Sequence, residues 1–481
     1  MKKIVLLIAF MALSVSCSDD ITGLNADTKN PTTTKSEYLF TNAQKTLVDQ
    51  MVNTSVNRNV FRLFSQYWTE TTYPDESQYD ITTRTIPDFH FRTLYRDVLR
   101  DLKEAKMLLD AEVPVSAEQT AILNNKKAIV DILTAYSYSV LVDTFGNVPY
   151  SEALDIEAHP LPKYDDAQTI YKDLIAKLTT DSGLLTSGAT SFGSADLIYG
   201  GNATKWKKFA NSLKLRLSVN MDDVDHAYAS AQITAAVAAG VITSNADNTN
   251  LNYLALQPNA NPLYADLVVS GRNDFVPANT LVNKMNTLSD PRRAKYFDLK
   301  TGATDYSGGV YGASNNFAAY SHISSTIADP KFSGTLFDYT EVEFLLAEAA
   351  ARGIAVSGAA ITHYNAAITA SMQNWGVTDA DIAIYLAQAN VVYDAVNWKK
   401  SIGEQAWLGL YNRGFEAWTS YRRLDFPVLA VPSTTYNNLT SVPVRYSYPS
   451  SEQTLNATNV TAAITAIGGN ALTTKIFWDK H

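Results

Sequence analysis

Apolar residues recur three or four positions apart along most of this chain, and the stretches that carry this spacing come in pairs. Such spacing places apolar side chains on one face of an α-helix. In the pair on either side of Gly353, the second stretch carries Ala360, Tyr364 and Ala367, the small–aromatic–small pattern that lets helices pack closely in tetratricopeptide repeats. The turn is about two residues longer than in that repeat. We therefore predict tetratricopeptide-like helix pairs stacked in an array.

Other stretches show the same helical spacing. They cover residues 40–51, 61–68, 91–108, 129–140, 171–178 and 206–221. Ser116 is placed to cap the helix that contains residues 129–140. Stretches 129–140 with 171–178, and 206–217 with 231–239, are expected to stack like the first pair. Four tryptophans on these helical faces are assigned to the core. They are Trp206, Trp375, Trp407 and Trp418.

Residues 247–333 differ from the rest, because Asn, Gly, Pro and Tyr are frequent and helical spacing is confined to residues 278–285. A break is expected at Asp290-Pro291. Long irregular segments in compact proteins usually either carry function or are disordered, and the aromatic content favours function. Just before this segment, the Asn/Asp-rich turn 245–248 would suit calcium, although a plain loop explains it equally well.

The first residues have the order of an export signal: two lysines, an apolar run from Ile4 to Leu13, and small residues before Cys17. The run is shorter than the ~20 residues that cross a bilayer. Cys17 is the only cysteine, which favours an acylated lipoprotein N-terminus, although Ser14 stands where an aliphatic residue is more usual. The alternative is an ordinary signal peptide. We predict a signal peptide at 1–16, a lipidated tether at 17–36 and one domain at 37–481.

The net charge of −9 and the lack of a basic cluster argue against a nucleic-acid partner. The 6 histidines are scattered without the spacing of a zinc helix, and no Gly-x-Ser-x-Gly motif occurs. Paired carboxylates could still be assembled by folding, as in glycosidases. We predict a protein that is not an enzyme and has no cofactor, and we assign no metal-ligating residues, although the sequence leaves open whether calcium is bound.

Several motifs, in order along the chain, resemble one family. They are LVDTFGNVPYSEA at 141–153, WKKFANSLKLR at 206–216, GEQAWLGL at 403–410 with EAW at 416–418, PVRYSYPSSE at 443–452 and TTKIFWD at 473–479. Together they closely resemble the SusD/RagB family of outer-membrane nutrient-binding lipoproteins. The resemblance covers almost all of the chain after Cys17.

The resemblance implies a mostly α-helical SusD-like fold with tetratricopeptide-like pairs and a loop-rich ligand-binding region. It also implies a lipid-anchored protein on the outer membrane, facing the cell exterior. There it would form a lid on a SusC-like TonB-dependent transporter and capture oligosaccharides or peptides for import. In the family the helical array faces the transporter, and ligand binds on separate loops. A structural lid or scaffold without its own ligand is the alternative.

Two regions combine stacking surfaces with hydrogen-bonding side chains in turn-rich settings, as capture of a sugar or peptide requires. The first contains Trp68, Tyr73, Asp75, Gln78 and Tyr79. The second contains Arg272, Asn273, Asp274, Tyr311, Asn316, Phe317 and Tyr320. For Trp68 the alternative is burial at the end of a helical stripe. Ser451, Glu452 and Asp479 are assigned to closure of the C-terminal segment instead.

Overall fold

Helices account for most of the secondary structure in the computed structural model, which describes residues 34–481. Ser36–His481 form one compact unit. The predicted signal peptide, Cys17 and the predicted tether up to residue 33 lie outside the described residues. The α-helices are Ser36–Val52, Phe61–Phe64, Ile86–Arg92, Arg100–Asp110, Ala117–Phe145, Ala167–Leu184, Ala203–Asn220, His226–Ala239, Pro262–Tyr264, Asn279–Thr287, Arg293–Tyr296, Tyr339–Ala351, Ala360–Asn374, Asp379–Leu386, Trp398–Gly409, Gly414–Leu424, Ser450–Leu455 and Ala457–Ala466.

The paired helices form as their apolar spacing predicts. Packed neighbours are Ala117–Phe145 with Ala167–Leu184, Ala203–Asn220 with His226–Ala239, and Tyr339–Ala351 with Ala360–Asn374. Ala367 is fully buried, so its small side chain lies at a close helix contact. The Ser116 Oγ accepts a 3.1 Å hydrogen bond from the Gln119 amide and caps its helix, as expected. The prediction of a mostly α-helical fold is confirmed.

The predicted helix over 61–68 is wrong in its second half. Helical structure ends at Phe64, and Gln66 has a positive φ of 54°, which a continuing right-handed helix cannot contain. Trp68–Glu70 instead forms a strand that pairs antiparallel with Phe275–Pro277. The partner strand is distant in sequence, so the local apolar spacing carries no trace of this pairing.

The helix predicted over 91–108 has a π-helical segment, Thr93–Leu99, between Ile86–Arg92 and Arg100–Asp110. A second π-helical segment is Ala265–Val269. Short 3₁₀ turns are Gly193–Ala195, Asn245–Asp247, Phe317–Ala319 and Tyr436–Asn438.

Strands are short and occur as antiparallel pairs. Besides the pair above, they are Val148–Pro149 with Tyr164–Asp165, Thr249–Leu251 with Gly334–Phe337, and Phe297–Asp298 with His322–Ile323. Segment 247–333 is accordingly built of turns, short strands and short helices, with Asn279–Thr287 its longest α-helix. In the turn considered for calcium, the Lys208 Nζ lies 2.7 Å from Asp247, and the Lys205 Nζ donates to the Ala246 carbonyl. Lysine ammonium groups therefore supply the positive charge at this turn.

Helix Ala117–Phe145 is long and apolar enough to cross a membrane, but its apolar window is 89% buried within the protein, as in a core helix. Trp206, Trp407 and Trp418 are buried as predicted, whereas Trp375 is only half-buried. At the C-terminal end, the Glu452 carboxylate accepts a 2.8 Å hydrogen bond from the Tyr164 hydroxyl. This contact ties the C-terminal segment to the strand Tyr164–Asp165.

Buried ion pairs connect the helices of the array. The Arg413 guanidinium lies 2.6 Å from Glu341 and 2.9 Å from Asp338, and Arg216 lies 2.5 Å from Glu341. All four side chains are less than a tenth exposed. Buried charges are tolerated only when they are paired in this way. The network therefore joins the helices Ala203–Asn220 and Tyr339–Ala351 to the start of Gly414–Leu424.

Candidate functional site

The strand pair Trp68–Glu70 and Phe275–Pro277 brings the two predicted ligand regions together. Glu70 lies opposite Phe275, and immediately beyond this pair the Thr71 amide donates to the Asp274 carbonyl at 2.9 Å. The Thr71 Oγ1 also donates to the Asn273 carbonyl at 2.5 Å. The turn that follows residue 71 and the loop 271–274 are thus held side by side.

A third segment joins this strand pair through Asn315. The Asn315 amide NH donates to the Thr71 carbonyl at 2.8 Å, and its side-chain NH₂ donates to the Glu70 and Ala313 carbonyls at 2.9 and 2.7 Å. Its side-chain oxygen accepts from the Val310 amide at 2.8 Å. One buried asparagine therefore joins residues 70–71 to the segment 310–315, which is distant in sequence. The sequence did not reveal this role of Asn315, because no local pattern distinguishes it from Asn316.

Several predicted residues are exposed or half-buried on the resulting surface, which we call the loop face. Its predicted members are Tyr73, Asp75, Gln78, Arg272, Asn273, Asp274 and Asn316. Tyr73 is 61% exposed. The Arg272 Nε lies 2.6 Å from Asp274, which raises the pKa of the guanidinium, and the Tyr73 phenol is close enough to add to this shift. An exposed aromatic ring therefore lies near a charged pair of side chains.

Other contacts order the edges of the loop face. The Gln78 side-chain NH₂ donates to the Gly312 carbonyl at 2.8 Å, and the Gln78 carbonyl accepts from the Tyr436 amide at 2.7 Å. Asn316 caps the short turn that follows it, in which Phe317 stacks on His322 with ring centroids 3.9 Å apart. Phe317 and Tyr320 are half-buried.

Three predicted ligand residues are buried, which corrects their assignment. The Trp68 Nε1 donates to the Tyr411 hydroxyl at 2.9 Å, and the Tyr311 hydroxyl donates to the Leu63 carbonyl at 2.7 Å. Tyr79 packs edge-on against Phe64. Trp68 and Tyr79 have no exposed surface, and Tyr311 is 7% exposed. Since their rings are used in packing, these residues support the loop face from below and offer no stacking surface to a ligand.

A buried carboxyl lies directly beneath the loop face. The Glu70 Oε2 accepts hydrogen bonds from the Ser77 amide and hydroxyl at 2.9 and 2.8 Å. Burial, with a smaller effect of the neighbouring Glu76, raises the pKa of Glu70 to about 9. Glu70 is therefore protonated at neutral pH. Within residues 34–481, no group of three or more His, Cys, Asp or Glu side chains is arranged to hold a metal ion.

Comparisons with known proteins agree on one family. The SusD-like family described as "Starch-binding associating with outer membrane" matches residues 28–449. A solved structure of a chitin-binding protein is 25% identical, with a TM-score of 0.80 over 93% of this chain and 100% of that one. A SusD homologue from Bacteroides uniformis is 26% identical, with a TM-score of 0.78 over 92% of this chain and 100% of that one.

A chitin-binding SusD homologue from Flavobacterium johnsoniae is 24% identical, with a TM-score of 0.77 over 92% of this chain and 97% of that one, and supports the fold. A search of curated proteins by sequence found no match. The match to residues 28–449 spans most of the chain, and the similar structures cover nearly all of it. The chain therefore belongs to the SusD-like family of starch-binding proteins that associate with the outer membrane.

Proposed function

We propose that this protein captures oligosaccharides at the outer surface of the outer membrane and delivers them to a SusC-like TonB-dependent transporter for import. The family description names starch binding and the outer membrane, and a protein of similar structure is described as chitin-binding. These descriptions favour a glycan over a peptide as the ligand. They also favour a binding protein over an enzyme.

The exposure of Tyr73 on the same loop face as the Arg272–Asp274 ion pair is the observation that carries this proposal. An aromatic ring provides an apolar surface for a sugar ring, and the neighbouring charged and amide groups provide donors and acceptors for its hydroxyls. Asp75, Asn273 and Asn316 add further exposed polar groups. The loop face is the proposed capture site, with Phe317 and Tyr320 at its less exposed side.

Anchoring through Cys17 would keep this capture site at the membrane surface. The proposal of a lipid anchor rests on the sequence, in which an export signal ends at the only cysteine. Stable anchoring needs two or more acyl chains. A Cys17→Ser protein is expected to lose its fractionation with the outer membrane in cells that lack the transporter. Retention in that fraction would contradict the anchor.

Capture and delivery can be tested separately. The full-length protein, purified in detergent, is screened against starch, chitin and other oligosaccharides on a glycan array, with a peptide library as the alternative ligand class. Binding to at least one glycan class is expected, and binding to peptides alone would contradict the glycan proposal. Co-purification with a barrel transporter from its native membrane tests delivery. A complex without any ligand binding would favour the scaffold function.

A further inference from the structure

A polar cleft of about 520 Å³ opens between the N-terminal helix, the helix Ile86–Arg92 and the segment 257–266. Its charged and aromatic lining consists of Lys45, Asp49, Arg58, Phe89, Arg92, Arg96, Asp97 and Asp266. The π-helical segment Ala265–Val269 leads from this cleft towards Arg272, and the Asp266 and Asp274 carboxyls interact electrostatically. The cleft is therefore a neighbour of the loop face, although none of the predicted ligand residues lines it.

Two of the four basic residues in the cleft are already neutralised. Lys45 lies 2.5 Å from Asp49, and Arg96 lies 2.6 Å from Asp97. The Asp49 carboxylate also accepts a 2.7 Å hydrogen bond from the Tyr253 hydroxyl. These pairs leave the other two cations, Arg58 and Arg92, to determine the charge that the cleft presents.

Arg58 and Arg92 have no carboxylate within ion-pair distance in the part of the chain from residue 34 onward. Both guanidinium groups lie over the half-buried Phe89 ring, with their central carbons 5.9 and 4.4 Å from its centroid. Cation–π contact at an exposed site contributes only about 0.5–1 kcal/mol. It therefore orients the two like charges on one ring without neutralising either of them.

The remaining carboxyl of the cleft does not complete an ion pair with them. Asp266 is half-buried, and its carboxylate accepts a 3.2 Å hydrogen bond from the Thr54 amide. Burial raises the pKa of Asp266, while this hydrogen bond and the Arg62 and Arg58 charges lower it in part. Within the described chain the cleft thus has an excess of positive charge, in a protein whose net charge is −9.

Buried side chains hold the loop that carries Arg58 in place. The Gln50 side chain, which is 2% exposed, donates to the Arg58 carbonyl at 3.0 Å and contacts the His90 Nδ1 at 2.9 Å. The Asn59 side chain donates to the Gln50 and Met51 carbonyls at 2.9 and 3.1 Å. The Arg58 backbone is thereby fixed against the helix Ser36–Val52, so the fold sets the point from which this side chain enters the cleft.

We propose that this cleft binds the anionic group of an acidic sugar unit, a uronate carboxylate or a sulfate ester, through Arg58 and Arg92. The inference rests on the proposed function of glycan capture and adds a charge specificity to it. A guanidinium presents a planar fork of donors that matches carboxylate and sulfate oxygens, and both forks line the same cleft. Ser55 and Gln257 also line the cleft and offer hydrogen bonds to sugar hydroxyls.

The test compares matched acidic and neutral glycans by isothermal titration calorimetry of the full-length protein in detergent. Oligogalacturonate is compared with its carboxyl-reduced form, and a sulfated cello-oligosaccharide with its unsulfated form. The variants are Arg58→Gln and Arg92→Gln, and the matched control is Arg100→Gln, an exposed arginine that does not line the cleft. Since all three side chains are exposed, unchanged thermal unfolding is expected and is checked for each.

At least one acidic glycan is expected to bind about tenfold or more tightly than its neutral form. Each cleft variant is expected to lose about the same factor in affinity for the acidic glycan, because about tenfold is the effect of one charge-assisted hydrogen bond. The two glycan pairs distinguish carboxylate from sulfate. Equal affinity of acidic and neutral forms, or equal losses in Arg100→Gln, would overturn the inference. If a neutral glycan still binds in that case, the proposed capture function stands; if no glycan binds, both fail.

Discussion

The Asn315 side-chain NH₂ donates a 2.9 Å hydrogen bond to the Glu70 carbonyl, joining residues 245 positions apart. This bond, with the others that Asn315 makes, fixes the turn after the strand Trp68–Glu70 against the segment that leads to Asn316. The geometry of the loop face therefore depends on one amide that is itself buried. Ligand binding at the loop face would therefore depend on Asn315 although the ligand would not contact this residue.

Replacement of Asn315 by alanine is expected to lower the free energy of unfolding by about 2–3 kcal/mol, because the Glu70, Val310 and Ala313 carbonyls lose a donor and the Val310 amide loses its acceptor. Glycan affinity is expected to fall as well, because the segment that leads to Asn316 loses its side-chain hydrogen bond to Glu70, while the Asn315 backbone NH still donates to the Thr71 carbonyl. Chemical denaturation and calorimetry measure the two effects. Asn390→Ala is the control, because Asn390 is an exposed asparagine in a turn elsewhere in the chain. Equal behaviour of the two variants would contradict the role assigned to Asn315.

Tyr73→Ala is expected to weaken glycan binding several-fold, by about 1 kcal/mol, because it removes the most exposed aromatic surface of the loop face. The free energy of unfolding should be unchanged, since the side chain is 61% exposed. Tyr38→Ala is a matched control, because Tyr38 is 66% exposed and lies on another part of the chain. If both variants bind an identified glycan like the unaltered protein, the loop face is not the capture site.

Local patterns were sufficient for the helical part of the fold. Apolar spacing and the Ser116 cap reflect interactions within one or two helical turns, so the helix pairs and the buried Trp206 and Trp418 could be predicted. The strand Trp68–Glu70 could not, because its existence depends on a partner more than 200 residues away. The helical spacing through Phe61 and Phe64 simply continued to Trp68 in the sequence.

The same distinction applies to the loop face. Tyr73, Tyr79 and Tyr311 all occur in turn-rich stretches, and composition does not distinguish them. Tyr79 and Tyr311 are buried because Phe64 and the Leu63 carbonyl, on a short helix elsewhere, contact them. Exposure in a loop is decided by such long-range contacts. The sequence therefore could not separate the exposed Tyr73 ring from the buried rings of Tyr79 and Tyr311.

Glu70 makes the stability of the protein depend on pH. Its pKa is about 9 in the folded protein against an ordinary value of 4.5, because burial disfavours the carboxylate. Between these pH values the unfolded chain ionises at this position while the folded protein stays protonated. The stabilisation from this group is thus complete below pH 4.5 and is lost as the pH rises through about 9.

Glu70→Gln removes this titration while keeping an oxygen that can accept the Ser77 hydrogen bonds. The difference in the free energy of unfolding, variant minus unaltered protein, is expected to increase by at least about 1 kcal/mol as the pH rises from 4.5 to about 9. Urea denaturation at several pH values measures the difference. Glu104→Gln, at an exposed position, should show no such trend. A difference that is constant with pH would contradict the protonated state of Glu70.

Arg413→Ala is expected to destabilise the helical array by about 3–5 kcal/mol, because it leaves the buried Asp338 without a counter-ion and Glu341 with Arg216 alone. Arg413 lies 2.6 Å from Glu341 and 2.9 Å from Asp338, and all three side chains are at most 8% exposed. Arg96→Ala, which breaks an ion pair whose arginine is 58% exposed, should cost less than about 1 kcal/mol. Denaturation curves that move by the same amount would show that the network contributes no more than a surface pair.

Gly414→Ala tests the close contact between the helix Gly414–Leu424 and the short helix Phe61–Phe64. A Cβ at position 414 would lie 2.5 Å from the Arg62 amide nitrogen and 2.7 Å from the Phe61 carbonyl carbon. Since both are backbone atoms, the two helices must separate, and the free energy of unfolding should fall by about 1–3 kcal/mol. Such a separation would also disturb the Ser65 hydroxyl, which donates to the Gly414 carbonyl at 2.9 Å.

Gly183 provides the opposite case for the same substitution. It lies in the helix Ala167–Leu184, and no atom lies within 4 Å of a Cβ placed there. Gly183→Ala should therefore stabilise the protein by about 0.5–1 kcal/mol, because alanine loses less backbone entropy than glycine on folding. Thermal and chemical unfolding of both variants measure the contrast. The short helix Phe61–Phe64 leads to the strand Trp68–Glu70. If Gly414→Ala were as stable as Gly183→Ala, the contact between this short helix and the helix Gly414–Leu424 would be less tight than the distances at Gly414 indicate.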